Sequence, residues 1–155
     1  MRLAILGYGK LGSAVAEVAE GNGWTVVARI NEGDDWNASD LGADIVFESS
    51  TPQNAVDNAL KCIEASLPVV IGTTGWHDRL DELKASGGTV FHATNFSIGV
   101  HLLNEISSYM TRVMKQFPNY SPSIKDVHHI HKLDSPSGTA TTLRDIVLAN
   151  GADAS

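Results

Sequence analysis

Leu3-Ala4-Ile5-Leu6-Gly7-Tyr8-Gly9-Lys10-Leu11-Gly12 decides the fold, because a short apolar strand runs directly into a Gly-x-Gly-x-x-Gly loop. The glycine spacing alone is a weak signal; placed between a strand and a helix it matches what a dinucleotide pyrophosphate needs. The first glycine makes the tight turn and the second lets backbone N–H groups approach the anion. The third lets helix and strand pack closely, with the helix N-terminus facing the charge. The following helix has Leu11, Val15, Val18 and Ala19 on one stripe and is closed by Gly21 or Gly23. A glycine-rich turn without a ligand is the plainer alternative.

The same rhythm continues outward. Residues 25–30 and 45–48 read as strands, separated by a polar loop over 31–43 with at most one helical turn. Thr51-Pro52 reads as an N-cap and first helical position, opening a helix whose inner face is Ala55, Ala59, Leu60 and Ile63. A buried strand over 68–71 leads into Gly72-Thr73-Thr74-Gly75, a helix over 77–86 turns Leu80 and Leu83 inward, and 90–93 is a further strand. A longer helix over 99–114 is expected to bury Val100, Leu103, Met110 and Met114. The alternation predicts an α/β fold, a Rossmann-like doubly wound parallel sheet followed by the beginning of a second α+β domain. The break at Phe117-Pro118-Asn119-Tyr120-Ser121-Pro122 places the boundary, giving domains 1–121 and 122–155. Beyond it the pattern predicts a strand near 124–131, a loop, and a last helix over about 139–149.

Composition narrows the function classes. A chain of 155 residues suffices for one domain, or one and part of another, and 43% hydrophobic residues exclude wholesale disorder. Eleven basic against eighteen acidic residues, a net charge of −7, argue against a nucleic-acid partner. An anionic ligand must then be held by local donors against the global field. The single Cys62 excludes an internal disulfide and suits a reducing compartment. No apolar run approaches the ~20 residues that span a bilayer. The N-terminal apolar stretch is too short for a signal peptide, so a cytoplasmic protein without a membrane partner is expected.

Asn31 stands where dinucleotide-binding strands often end in an acid, with Glu32 next. An amide hydrogen-bonds a ribose without repelling a 2′-phosphate, and Lys10 and Arg29 lie nearby. This set points toward NADPH acceptance, with NADH also accommodated; both cations read equally well as solvated surface charge.

The chemistry concentrates in Asp126-Val127-His128-His129-Ile130-His131-Lys132-Leu133-Asp134-Ser135-Pro136-Ser137-Gly138-Thr139-Ala140. Ser137-Gly138-Thr139 opens a helix, where backbone N–H groups and hydroxyls favour a carboxylate. Three histidines and a lysine just upstream are candidate proton carriers. If 126–132 is extended, His128 and Lys132 share one face, and His129 and His131 the other. The duller readings are a plain helix start and a zinc site, but a matching thiolate or carboxylate set is missing, so no metal is expected. His77, His92 and His101 read as packing or surface residues.

His128-His129-x-x-Lys132-x-Asp134-x-Pro136-Ser137-Gly138-Thr139-Ala140, Gly72-Thr73-Thr74-Gly75, Asn95-Phe96-Ser97-x-Gly99-Val100 and the N-terminal glycine loop together resemble one family. It is that of the 4-hydroxy-tetrahydrodipicolinate (dihydrodipicolinate) reductases of diaminopimelate and lysine synthesis, and the likeness spans nearly the whole chain. The resemblance implies an NADPH- or NADH-dependent oxidoreductase acting on a small cyclic imine dicarboxylate. It implies that Gly7, Tyr8, Gly9, Lys10, Leu11 and Gly12 hold the cofactor's pyrophosphate side, with Asn31 at the ribose and Ser50 and Thr51 touching the cofactor. Gly72, Thr73, Thr74, Thr94, Asn95 and Phe96 would line the nicotinamide. His128 would be the acid/base residue and Lys132 the proton donor, while His129, Ser137, Gly138 and Thr139 would grip the substrate carboxylates. Two departures stand out. Asn31 replaces the usual acid, and the chain is much shorter than full-length relatives, so a truncated polypeptide with part of its substrate domain is expected. The family's homotetramer is therefore an expectation for the full-length protein. A non-catalytic NAD(P)-binding module or redox sensor, and another Rossmann amino-acid or sugar dehydrogenase, are the alternatives.

Overall fold

A computed structural model describes residues 1–128, 130 and 136–152. Five parallel strands, β1 (Arg2–Leu6), β2 (Thr25–Ile30), β3 (Ile45–Glu48), β4 (Val69–Ile71) and β5 (Val90–His92), form one sheet in the order β2-β1-β3-β4-β5. The chain reverses direction across the sheet between β1 and β3, the place where open α/β sheets bind ligands. Leu6 pairs with both Ile30 and Glu48, Glu48 with Ile71, and Ile71 with His92. All five C-terminal ends are therefore level, and the loops beyond them share one rim.

The helices are α1 (Lys10–Gly21), α2 (Pro52–Glu64), α3 (Leu80–Ala85), α4 (Ile98–Met114) and α5 (Gly138–Ala149), with single 3-10 turns at Ala38–Asp40 and His77–Arg79. One core lies between the sheet and α2 and α3, built from Ala4, Leu6, Val46, Val69 and Ile71 against Ala55, Val56, Ala59, Cys62 and Leu83. The other joins Leu3, Ile5 and Phe47 to Ala16 and Ala19 of α1. Each large aliphatic side chain so buried is worth roughly 1.5–3 kcal/mol. Pro52 stands at the first position of α2, and Thr51 precedes it in extended conformation without a side-chain cap.

The α1 stripe differs from the expected one. Gly12, Ala16 and Ala19 are buried, whereas Leu11 and Val18 are exposed. Small residues bring the helix axis close to β1, and the larger ones stand at its flank. On α2, Val56 and Cys62 complete the inner face, with Leu60 and Ile63 only half-buried.

By its internal contacts the chain divides into two compact units, Met1–Ala93 and Thr94–Ser155. The division falls before α4, because α4 packs against α5. The Asn150 side chain of the loop after α5 donates to Ser108 Oγ of α4 at 3.2 Å. The Pro118–Pro122 break lies inside the second unit, where the Tyr120 N–H donates to the Phe117 carbonyl and closes a turn. Of the four α4 residues expected inside, Leu103 and Met110 are exposed and Val100 and Met114 half-buried; Thr111 is the buried one. The second unit has no sheet among its described residues for that apolar face to cover.

The strand expected near 124–131 is not formed over 121–128, which has no neighbouring strand among the described residues to complete a ladder. Positions 129 and 131 lie outside the described residues. Among the described residues, no helix is long and apolar enough to cross a membrane.

Candidate functional site

At the rim of the first unit, the loops after β1, β2 and β3 enclose a cleft of about 370 Å³ lined by Gly7, Gly9, Asn31, Asp34, Ser50, Thr51 and Asn54 among others. Backbone geometry shapes it. Gly7 has φ +88°, and a Cβ there would strike the Ser49 carbonyl; only glycine takes that conformation without strain. A Cβ at Gly12 would run into the Gly7 carbonyl and lie 3.0 Å from Ile5 Cγ2. At Gly9, in contrast, a Cβ would meet nothing within 4 Å. Free N–H groups of the first turn of α1 point toward such a space by construction. The backbone donors and open space at Gly9 are of the kind that a pyrophosphate requires.

Side chains hold the other two loops. Asn31 Oδ1 accepts the Tyr8 N–H at 3.1 Å, and Asp34 Oδ2 accepts the Asn31 N–H at 2.7 Å. Asn31 thus ties the glycine loop to the end of β2, while Glu32 and Asp34 bring acidic charge to the cleft wall. Arg29 pairs with Glu20 at 2.6 Å and lies 5.3 Å over the Tyr8 ring. Lys10 begins α1 and Leu11 follows it, both exposed.

Behind Ser50 sits a residue that sequence reading passed over. Glu48, the last residue of β3, is fully buried. Its Oε1 accepts the Ser50 N–H at 3.0 Å and the Ser50 hydroxyl, and Asn58 Nδ2 donates to Ser50 Oγ at 3.2 Å. Glu48 Oε2 has no partner among the described residues. A carboxylate ending an apolar strand was the available signal. Nearby Cys62 is fully buried, and burial, with the Glu48 charge second, pushes its thiol up to about 12, so it is no nucleophile.

The Gly72-Thr73-Thr74 segment leaves the end of β4. The buried Trp76 indole N–H donates to the Thr73 carbonyl at 2.7 Å, and Trp76 stacks on His77 at 4.7 Å with His92 edge-on at 5.1 Å. Burial, reinforced by His77 and Lys84, lowers the His92 pKa. Thr73 Oγ1 is buried and without a hydrogen-bond partner among the described residues. Thr94, Asn95 and Phe96 open the second unit, where Asn95 Oδ1 accepts the Ser97 N–H at 2.8 Å and Ser97 caps α4 at Val100.

In the second unit, His128 and Ser137 meet on one carboxylate, Asp126. His128 Nε2 lies 2.6 Å from Asp126 Oδ1, and the Ser137 N–H donates to Oδ2 at 2.9 Å. The Ser137 hydroxyl donates to Oδ1 at 3.2 Å while its oxygen accepts the Ala140 N–H at 3.1 Å, capping α5. Ser137 is buried with both donors taken; Gly138 and Thr139 supply the first-turn N–H groups that no intrahelical acceptor can reach. His129 and Lys132 lie outside the described residues, as does the expected face-sharing of His128 with Lys132 and of His129 with His131. Among the described residues, no cluster of three potential ligands could hold a metal ion.

A level parallel sheet, a reversal between β1 and β3 and a glycine cradle at the first helix define a dinucleotide-binding protein of the Rossmann class. Comparison narrows the class. The family described as "Dihydrodipicolinate reductase, N-terminus" matches residues 1–96, and "Dihydrodipicolinate reductase, C-terminus" matches 99–154. The 4-hydroxy-tetrahydrodipicolinate reductase of Christiangramia forsetii is 34% identical over 96% of this chain and 64% of its own length. That of Streptomyces griseus is 34% identical over 99% and 63%. The structure of a dipicolinate-bound dihydrodipicolinate reductase from Paenisporosarcina sp. TG-14 superposes with a TM-score of 0.71 at 25% identity, over 96% of this chain and 66% of that one. The chain belongs to the dihydrodipicolinate reductase family, and it spans under two thirds of the length of these relatives.

Proposed function

We propose that the complete protein is a 4-hydroxy-tetrahydrodipicolinate reductase, reducing a cyclic unsaturated imine dicarboxylate in diaminopimelate and lysine synthesis. The observation that carries this reading is the joining of His128 to the start of α5 through Asp126, which sets a proton carrier beside an anion-binding helix end. A redox sensor or a bare nucleotide-binding module has no use for that pairing.

The first unit takes the dinucleotide. Gly7, Tyr8, Gly9, Lys10, Leu11 and Gly12 hold the pyrophosphate side, Asn31 the ribose, and Ser50 and Thr51 the far wall of the cleft. Gly72, Thr73, Thr74, Thr94, Asn95 and Phe96 serve the nicotinamide. When bound, a reduced pyridine dinucleotide supplies the hydride. The sequence points toward NADPH, with NADH also accommodated. Against that lean, the acidic wall at Glu32 and Asp34 and the pairing of Arg29 with Glu20 favour a ribose 2′-hydroxyl over a 2′-phosphate, and on that ground we assign NADH as the preferred coenzyme.

The second unit takes the dicarboxylate. Gly138 and Thr139, with His129, hold its carboxylates; Ser137, expected among them, has both donors on Asp126 and supports the helix end instead. Negative charge develops toward the ring nitrogen as the conjugated carbon is reduced; the Lys132 ammonium stabilises it and supplies a proton, and His128 serves as acid/base. The family's homotetramer is the proposed assembly.

Titrating NADH into the complete protein with and without pyridine-2,6-dicarboxylate tests the reading. Mutually strengthened binding is expected, since the planar analogue of the substrate should occupy the second site. Dinucleotide binding indifferent to the analogue, with no turnover of the imine, would leave the sensor reading in its place.

A further inference from the structure

Asp126 belongs to no helix or strand, lying in the irregular stretch 121–128. Even so, it gathers His128, two residues on, and Ser137, eleven residues on. Ser137 gives it both a backbone N–H at 2.9 Å and a hydroxyl at 3.2 Å, and His128 Nε2 stands 2.6 Å from the same carboxylate. The Asp126 side chain is 25% exposed and the His128 side chain 38%, so the pair is partly shielded while the ring keeps an open side.

We propose that Asp126 is the positioning residue of the proton-transfer site, holding His128 by its Nε2–H and leaving Nδ1 as the nitrogen that exchanges a proton with substrate. This rests on His128 being the acid/base residue of the imine reductase.

The donor inventory fixes the direction of the contact. An ionised carboxylate only accepts hydrogen bonds, so the hydrogen must sit on Nε2. The Ser137 N–H foremost, against partial burial, holds the Asp126 carboxyl below the usual carboxylate range; it stays ionised where the enzyme works. Ser137 contributes from the other side. With its N–H and O–H both spent on Asp126, it is a positioning residue too, and the substrate's carboxylate is left with the N–H groups of Gly138 and Thr139. One carboxylate therefore sets both the orientation of the proton carrier and its distance from the anion cradle, because the Ser137 hydroxyl that it orients is also the cap of α5. The spacing Asp126-x-His128 suits this, because side chains two residues apart on extended backbone turn to the same side.

The test uses the complete protein with 15N-labelled histidine. The neutral His128 ring is expected as the Nε2–H tautomer. In D126N the amide can present either oxygen or nitrogen, and a mixture of tautomers is expected. Steady-state turnover of the cyclic imine should show kcat reduced about ten- to a hundredfold in D126N, NADH affinity unchanged, and partial recovery in D126E, which restores the carboxylate. A neutral His128 carrying its proton on Nδ1 in the unaltered protein overturns the proposal, and so does a folded D126N with unaltered kcat and tautomer. A loss of thermal stability in D126N with kcat unaffected also overturns it, because it shows a merely structural role. If D126N does not fold, the tautomer in the unaltered protein decides alone. An unaltered protein that does not turn over the imine overturns the reductase reading instead, whatever the tautomer shows.

Discussion

At the rim of the first unit the groups that face a ligand are mainly main chain: the glycine loop, the first turn of α1 and the ends of three level strands. Ahead of α5 they are side chains on an irregular segment, held by one carboxylate. The difference is one of support. The rim is fixed by the sheet register, so single polar side chains there tune the ligand and do not create its site. Among the described residues, Asp126 to His128 pair with no strand, and their place against the start of α5 depends on Asp126 and Ser137 directly. Cofactor binding and proton transfer should therefore fail separately, and each should fail to a different kind of substitution.

Lys132→Ala breaks that comparison most sharply. Removing the proposed proton donor should lower kcat about 10²- to 10⁴-fold, with NADH affinity unchanged, since general-acid help of this kind is worth that much. Steady-state kinetics with a parallel NADH titration measures both, and undiminished turnover removes Lys132 from the mechanism. Gly12→Val is the mirror case. Its branched Cβ would meet the Gly7 carbonyl and Ile5, which forces the loop open and costs about 1–3 kcal/mol of stability as overpacking. Binding of NADH should weaken by about a hundredfold, the ~2.7 kcal/mol that this factor represents. Intact binding in a folded G12V protein would mean that the cradle is not where the pyrophosphate sits.

A smaller effect sharpens the account of the rim. Asp34→Asn keeps an acceptor for the Asn31 N–H but removes the negative charge from the cleft wall. A unit charge a few ångströms from a 2′-phosphate near the surface is worth about 1–2 kcal/mol, so the ratio of NADPH to NADH affinity should rise about tenfold. An unchanged ratio would show that the wall does not read the ribose.

The rim was legible in the sequence because its determinants are local and periodic. Leu3-Ala4-Ile5-Leu6 followed by Gly7, Gly9 and Gly12 specifies strand, turn and helix within a dozen residues, and β2 and β3 fall at the expected positions. The second unit was legible only in part. Helix α5 was marked by Ser137-Gly138-Thr139, but the apolar pattern over 124–128 makes no strand, since no strand among the described residues pairs with it. The periodic apolar face of α4 likewise does not reveal what covers it. On α1, Ala19 and the close-packing Gly12 were read correctly, but Ala16 was missed and Leu11 and Val18 were placed inside, because hydrophobicity singles out large residues while close packing on β1 selects small ones. Asp126, Glu48 and Asn58 were missed for another reason: their roles rest on hydrogen bonds to residues whose proximity the chain order does not announce.

The smallest expected effect concerns Arg79, at the end of the single turn before α3, which ties α3 to α2. Its guanidinium pairs with Asp57 of α2 at 2.7 Å and with both carboxylate oxygens of Glu82 at 2.7 Å. These hydrogen bonds hold both carboxyls below their usual range, with Asp57 and Glu82 each responding to Arg79 foremost. A carboxyl whose folded pKa is depressed contributes stability above its unfolded pKa, near 4 for these groups, and the contribution is lost as pH falls through the folded value. The pair is roughly half-exposed, at 60% for Asp57 and 47% for Glu82, so solvent and salt screen it. Arg79→Ala should therefore lower Tm at pH 7 by a few degrees at most. The difference from the unaltered protein should shrink below about pH 4, where the unaltered protein loses the same interaction, and should narrow in high salt. A Tm difference that is constant from pH 7 to pH 3 would assign the effect to packing of the Arg79 stem, and the charge link between α2 and α3 would then contribute nothing to stability.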